Sequence, residues 1–355
     1  MPRVHPAAAL TTIREMPRGA LATGAVGAVG VLGATLAFLF ATAWTLVPMA
    51  LFLLAVVYGW VRHQDRTAKA LSALATLSSV VILVLIMVYL FARSVPAFRH
   101  MGVLDMLTRT KQPMWRPPDD VFSLVPAMIG TVITTVIATF IAAPLGVAGA
   151  LFISEIAPSW LREVVKPGVE MLAGIPSIVY GYLGYLVINA YMSDVLGLPT
   201  IGSLFAVGLV IGLMALPTVV SVAEDAVTSV PASVKDGSIA MGATEWQTMK
   251  SITVPASFSG ISAAVLLGIG RAVGETMAAT VMLGHIKEIP IPWYNVFANT
   301  ETLTAMIASE YGNASGLHLS ALFAAGVVLF VTVMALSVVS QFVEYRMKRQ
   351  LRGEE

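Results

Sequence analysis

Long apolar stretches dominate the chain: Gly19 to Val61, Ala70 to Phe91, Phe122 to Phe152, Val169 to Tyr191, Ile201 to Val222, Phe258 to Gly284 and His318 to Val343. Each runs to about 18 residues or more, longer than a buried strand or an ordinary core helix, so each reads as a membrane span. The first is too long for one crossing, because an α-helix rising ~1.5 Å per residue crosses the hydrocarbon core in ~20 residues. Trp44, an aromatic of the kind found at membrane interfaces, and the helix breaker Pro48 stand near its middle and predict a tight hairpin. The pattern therefore predicts an all-α, polytopic transmembrane bundle of about eight spans, with both ends on one side.

Basic residues choose that side. Arg3, Arg14 and Arg18 precede the first span, Arg62, Arg66 and Lys69 follow the second, and Arg346, Lys348, Arg349 and Arg352 follow the last. Positive charge accumulates on cytoplasmic loops, so both termini are predicted cytoplasmic. The segment Ala92 to Val121 runs against this rule, since it falls outside yet carries Arg93, Arg99, Arg109, Lys111 and Arg116. It reads as a solvated loop or as a basic surface that draws an anion toward the entrance. Ala41-Thr42-Ala43 resembles a leader cleavage site, but the apolar run around it is too long for a leader and no cleavage is expected. The predicted organisation is a cytoplasmic segment 1–18, a hairpin 19–69, and a core 70–355 with a cytoplasmic loop 223–257. Glycines at 24, 27, 30 and 33 recur every third residue in the first span and permit close helix contact.

Composition sharpens the class. The chain is 57% hydrophobic and 12% charged, about half the charge of a soluble protein. Lys plus Arg total 21 against 20 for Asp plus Glu, so net charge gives no pointer to nucleic acid, and none is expected as a partner. The absence of cysteine removes disulfide, iron–sulfur and thiol-nucleophile chemistry. His5, His63, His100, His285 and His318 lack ligand spacing, so no metal site is expected.

Two places carry candidate chemistry. The loop Ser221 to Pro255 is patterned as two short helices: Pro231 can start the first and Gly242 can stop it. Thr244 and Gln247 have capping-box spacing for the second, Glu245 puts negative charge in its first turn, Trp246 and Met249 share a face, and Pro255 is expected to end it. A helix of about ten residues is marginal alone in water and must pack on something. The second place is GIGRAVGETMA, where Arg271 and Glu275 fall near the middle of a span. A charge there costs roughly 2.5–3.5 kcal/mol, so both must face a protein interior or a watery path. Four residues apart on one helix, they are expected to pair. Arg271 suits a tetrahedral oxyanion, and Glu275 can accept a proton from a phosphate hydroxyl or hold the guanidinium; a purely structural ion pair is the alternative. Gly270 and Gly274 clear side chains from either side. In Gly174-Ile175-Pro176-Ser177 a kink frees backbone groups, and Ser177 and Tyr180 offer neutral hydrogen bonds to a passing oxyanion; Glu170, near the span end, faces the path or the cytosol.

These segments carry a resemblance. Asp236-Gly237-Ser238, Gly242, Ile252 and Val254-Pro255 resemble the EAA loop of ABC importer permeases, departing from it in Asp236, Gly237 and Val254. GIGRAVGETMA, AGIPSIVYG from Ala173 and APLGVAGALFISEIAP from Ala143 resemble the PstC-type channel subunit of phosphate-specific ABC importers. The likeness covers about Phe122 to Arg346 and leaves the first hairpin outside. It implies a MetI-like type I permease fold in the cytoplasmic membrane and a path formed by Arg271, Glu275, Ser177 and Tyr180. It further implies an ATPase-coupling loop of Asp236, Gly237, Ser238, Gly242, Trp246 and Pro255. The implied partners are a second, PstA-like permease, a PstB-like ATPase dimer and an external PstS-like phosphate-binding protein, with lipid around the spans. No GxxxxGK[ST] occurs, so ATP is expected to be used by a partner, and the chain itself to be no enzyme and to hold no cofactor. An ABC permease for sulfate or molybdate is the alternative, an ion-driven transporter or a membrane enzyme a remoter one.

Overall fold

The computed structural model describes residues 18–40, 43–198 and 202–351. Its elements are nearly all helical, and the chain divides into two compact units, one ending at Val88 and one starting at Tyr89.

The first unit holds α1 (Arg18–Leu39), α2 (Leu46–Arg62) and the first part of α3 (Gln64–Met101). A single turn at Ala43–Thr45 joins α1 to α2, the hairpin foreseen around Trp44. Pro48 opens α2 rather than interrupting it, where its missing N–H costs nothing. Gly30 and Gly33 bring α1 onto α2, since a Cβ at Gly30 would stand 2.8 Å from the backbone nitrogen of Phe52. The span foreseen at Ala70–Phe91 is the middle of a much longer helix, and α3 carries on through Pro96 to Met101.

The second unit is built on α5 (Val125–Leu151) and α9 (Leu204–Thr228). Gly208 and Gly212 of α9 sit one turn apart against Ile137 and Ile141 of α5, so close that a Cβ at Gly208 would lie 2.7 Å from that of Ile137. Small residues at such a crossing let backbones approach where lipid supplies no hydrophobic drive. The helix α12 (Val254–Val273) packs on the same α9 through Gly260 and Gly268, and α15 (Gly316–Leu351) packs on the end of α3 through Tyr89–Phe323 and Phe91–Phe330 edge-to-face pairs. Between α3 and α5 lie the short α4 (Val103–Thr108) and a ribbon of β1 (Trp115–Arg116) and β2 (Val121–Phe122), whose Phe122 is buried with Met106, Leu124 and Met306.

Two spans foreseen as single helices are broken. Val169–Tyr191 is shared between α6 (Ser159–Gly174) and α7 (Ser177–Leu183), which meet at 89° across Ile175-Pro176 and continue through a wide turn into α8 (Ala190–Leu196). Phe258–Gly284 is split between α12 and α13 (Met277–Met282) by a non-helical stretch at 274–276. Among the described residues six helices are long and apolar enough to cross a membrane, seven with the bent pair, and Ala22–Phe38 is a shorter apolar helix; the eight expected spans map onto these. A loop and α14 (Leu303–Glu310) connect α13 to α15.

Candidate functional site

The loop after α9 folds as the sequence foretells at its start. Pro231 precedes α10 (Ala232–Ala240), and Gly242 ends it with φ of 91°, a left-handed conformation that side chains resist. The capping box forms in full at α11 (Glu245–Thr248): the Gln247 N–H donates to Thr244 Oγ1 at 3.2 Å and the Thr244 N–H donates to Gln247 Oε1 at 2.9 Å. Pro255 does not end this helix. A wide turn at Met249–Thr253, in which the Val254 N–H reaches back five residues to Met249, carries the chain past the proline ring and into α12 as one helical run. The loop is thus fused to a membrane helix.

Of the pair Trp246 and Met249, Met249 is buried and Trp246 is 65% exposed. Trp246 joins Val234, Ile239 and Met241 as bare apolar surface on the loop, and Asp236 and Gly237 are exposed with them. Ser238 instead faces inward, its hydroxyl accepting from Thr248 Oγ1 at 3.0 Å, which clamps α10 to α11. Two ion pairs that sequence spacing did not foretell tie this end together. Lys235 of α10 meets Glu155 at the end of α5 at 2.6 Å, and Lys166 of α6 meets Glu224 of α9 at 2.6 Å. Arg162 donates to the carbonyls of Ile153 and Ser154, which the wide turn ending α5 leaves free. Glu170 is exposed on α6.

Around the broken helix the expected Arg271–Glu275 pair is absent. The i,i+4 spacing assumes an unbroken helix, and α12 stops at Val273. Arg271, half-buried, donates to Thr218 Oγ1 on α9 at 2.9 Å, beside Pro217. Glu275 turns the other way and its Oε1 accepts from the Ala278 N–H at 3.1 Å, starting α13. Thr304 on α14 donates to the Glu275 carbonyl at 2.7 Å, so the break is satisfied by its own Glu275 side chain and by one from α14. Among the described residues Arg271 makes no ion pair. A Cβ at Gly270 would meet nothing within 4 Å, and Leu267 and Gly270 are exposed along the same helix as Arg271, as is Gly274 just past its end.

The other broken span abuts this one. Gly181 of α7 lies against the backbone of Ala278, and Tyr180 packs on the apolar cluster that contains Ala272 and Ala278. The Tyr180 hydroxyl donates to the Leu172 carbonyl at 3.1 Å, spanning the kink from within, while Ser177 opens α7 half-buried. Tyr180 thus packs on the cluster that includes Ala272, the chain neighbour of Arg271, and the loop residues 236–246 stand apart at the far end of α12.

Outside the spans a polar network gathers around α14. Glu301, wholly buried, holds His285 Nδ1 at 2.7 Å and accepts from Ser309, and Glu310 binds Lys287, His318 Nε2 at 2.6 Å and Trp115 Nε1 at 2.8 Å. Burial pushes the Glu310 carboxyl up, but the Lys287 ammonium and the hydrogen bonds from His318 and Trp115 outweigh it and hold it below its ordinary 4.5. Arg93, expected to be solvated or to form an anion funnel, lies within 6 Å of the Tyr89 and Phe323 rings, and Arg116 pairs with Asp119. Among the described residues no group of three or more His, Asp or Glu is arranged to hold a metal ion.

A helical membrane bundle with two broken spans abutting beside an unpaired arginine, and a helical loop fused to one of them, defines a transport permease. Residues 154–349 match the family described as binding-protein-dependent transport system inner membrane component, and the chain belongs to that family. It is 32% identical over 314 residues to the phosphate transport system permease protein PstC of Haemophilus influenzae, covering 83% of this chain and 96% of that one. It is 35% identical over 271 residues to a probable ABC transporter permease, YqgH, of Bacillus subtilis, covering 75% and 86%. Among solved structures it resembles a bacterial alginate ABC transporter chain with a TM-score of 0.55 at 17% identity, over 81% of this chain and 98% of that one. An inward-facing MetNI methionine transporter chain gives 0.51 at 19% identity over 63% and 95%. These structural likenesses establish the MetI-like fold.

Proposed function

We propose that this chain is the channel subunit of an ATP-driven importer of inorganic phosphate, with both termini cytoplasmic. The observation that carries the reading is Arg271, a permanent cation at a helix break inside the membrane, steadied by the neutral Thr218 instead of a carboxylate. It keeps its charge and most of its forked donors for an oxyanion. Relatives whose names state phosphate transport, at 32–34% identity in several bacteria, supply the substrate class. Glu275 spends one carboxylate oxygen on the Ala278 N–H and retains acceptor capacity for the hydroxyl of a protonated phosphate, which sulfate lacks.

A face along α12 that this chain leaves uncovered calls for a second, PstA-like permease opposite it, so that the path runs between the two. The exposed loop surface around Trp246 and Met241 receives a PstB-like ATPase that binds and hydrolyses ATP; this chain holds no cofactor and catalyses nothing itself. A PstS-like protein delivers phosphate from outside.

ATP-dependent uptake of labelled phosphate into vesicles bearing the full assembly tests this reading. An ionic hydrogen bond is worth about 1.5–3 kcal/mol, so Arg271→Gln is expected to lower uptake ~10- to 100-fold while the subunits still assemble. Normal uptake by the variant overturns the role of Arg271. Transport of sulfate or molybdate in place of phosphate keeps the permease and replaces the substrate.

A further inference from the structure

The hairpin that lies outside the resemblance borders a cavity of about 760 Å³ between α1, α2 and the first turns of α3. Its shape is a wedge. The helices α1 and α2 stay in contact along their length, Gly33 against Pro48, Gly30 against Phe52, Gly27 against Ala55 and Thr23 against Gly59, so the wedge lies between that pair and α3, which leaves α2 at His63; a Cβ at Gly24 would meet nothing within 4 Å. Gly24 and Ala25 are exposed, so the wedge opens sideways. Its walls are aliphatic, with Ala28, Val31, Leu32, Val56, Leu71 and Leu74, and its polar end carries His63 and Arg66. The threonines there are already satisfied, Thr67 Oγ1 donating to the His63 carbonyl and Thr23 Oγ1 to that of Gly19. Arg66 makes no ion pair among the described residues and is exposed, and neighbouring Asp65 makes none either.

We infer that this wedge holds one anionic phospholipid, its phosphate at Arg66 and His63 and an acyl chain along the aliphatic walls. Arg62 and Lys69, exposed and close in sequence to His63 and Arg66, add to the positive field that attracts an anionic headgroup. A soluble anion would satisfy Arg66 and leave the apolar walls empty.

Native mass spectrometry of the complete assembly, with phosphatidylglycerol or phosphatidylcholine supplied in mild detergent, tests the assignment. Wild type is expected to retain phosphatidylglycerol ~5-fold better, the contribution of about one basic residue at a membrane surface. Arg66→Gln should erase that preference. Ala28→Phe, which keeps the cation and fills the wedge, should lose the bound lipid, with Gly24→Leu as the substitute if Ala28→Phe fails to assemble; the same spectra report subunit composition. Equal retention of the two lipids, or wild-type retention in Arg66→Gln and both filling variants, overturns the inference. Displacement of the adduct by millimolar inorganic phosphate overturns it in favour of a soluble-anion site.

Discussion

Gly242 and Ser238 show how single residues set the shape of the loop that faces outward from the bundle. At φ of 91° Gly242 occupies backbone space that costs an L-residue about 1–2 kcal/mol, and nothing surrounds it that a side chain would strike. Gly242→Val therefore strains the turn between α10 and α11 without disturbing the membrane core. The expected outcome is that the purified chain keeps its thermal midpoint within a few degrees but loses copurifying ATPase subunit. Retention of the ATPase at wild-type level would mean that the turn is no part of the docking surface. Asp236 and Gly237, which depart from the family pattern, are exposed, whereas Ser238, drawn from the same tripeptide, is buried and holds the two helices together. A motif read as one unit in sequence divides in space into outward and bracing residues.

The helices themselves were legible because a long apolar run has one solution in lipid, and the capping box was legible because its two bonds are local. What escaped was where helices stop without a punctuating residue. Gly274 gives no stronger signal than Gly270, yet one lies at a break and the other in a helix, because Thr304, from an element thirty residues on, satisfies the freed carbonyl of Glu275. The Arg271–Glu275 pairing failed for that reason, and Pro255 failed as a stop because a wide turn absorbs it. The partners Thr218, Glu155 and Glu224 were unreadable because their contacts join distant elements.

At the same scale, Gly208→Leu on α9 forces a side chain into Ile137 of α5, and overpacking of this kind costs typically 1–3 kcal/mol. A drop in thermal midpoint is expected, checked by scanning calorimetry or dye-monitored melting. Glu310 fastens α14 to β1, α15 and the outer loop, and its depressed pKa fixes the sign of its pH dependence. A carboxyl held below its unfolded value stabilises fully above that value and loses the contribution as pH falls through the folded one. Wild type should therefore exceed Glu310→Gln in melting temperature at pH 7, and the gap should close on acidification below about pH 4.5. A gap that stays constant down to pH 3 would show that the carboxylate's charge contributes nothing.

For the whole molecule, the uncovered face of α12 decides whether this chain encloses the path alone. Phe140 on α5 is 81% exposed and Gly270 on α12 is also exposed, but the two surfaces differ in chemistry. The surroundings of Phe140, with Val132 and Val136, are uniformly apolar and suit lipid, whereas Gly270 adjoins the charged Arg271, which lipid cannot satisfy cheaply. A charged group in a span faces water or protein, so the Gly270 face borders either a watery path or a protein surface, and accessibility tells the two apart. The chain has no cysteine, and a single introduced thiol reports its own surroundings without background. In the complete assembly Gly270→Cys is expected to react with a charged, water-soluble maleimide and to be protected by phosphate, while Phe140→Cys stays unreactive. Should both thiols resist the reagent, Gly270 is sealed by protein and Arg271 lies off the path. Reaction of Gly270→Cys without protection would leave it wet but remote from the substrate, and would shift the phosphate route toward the other side of α12.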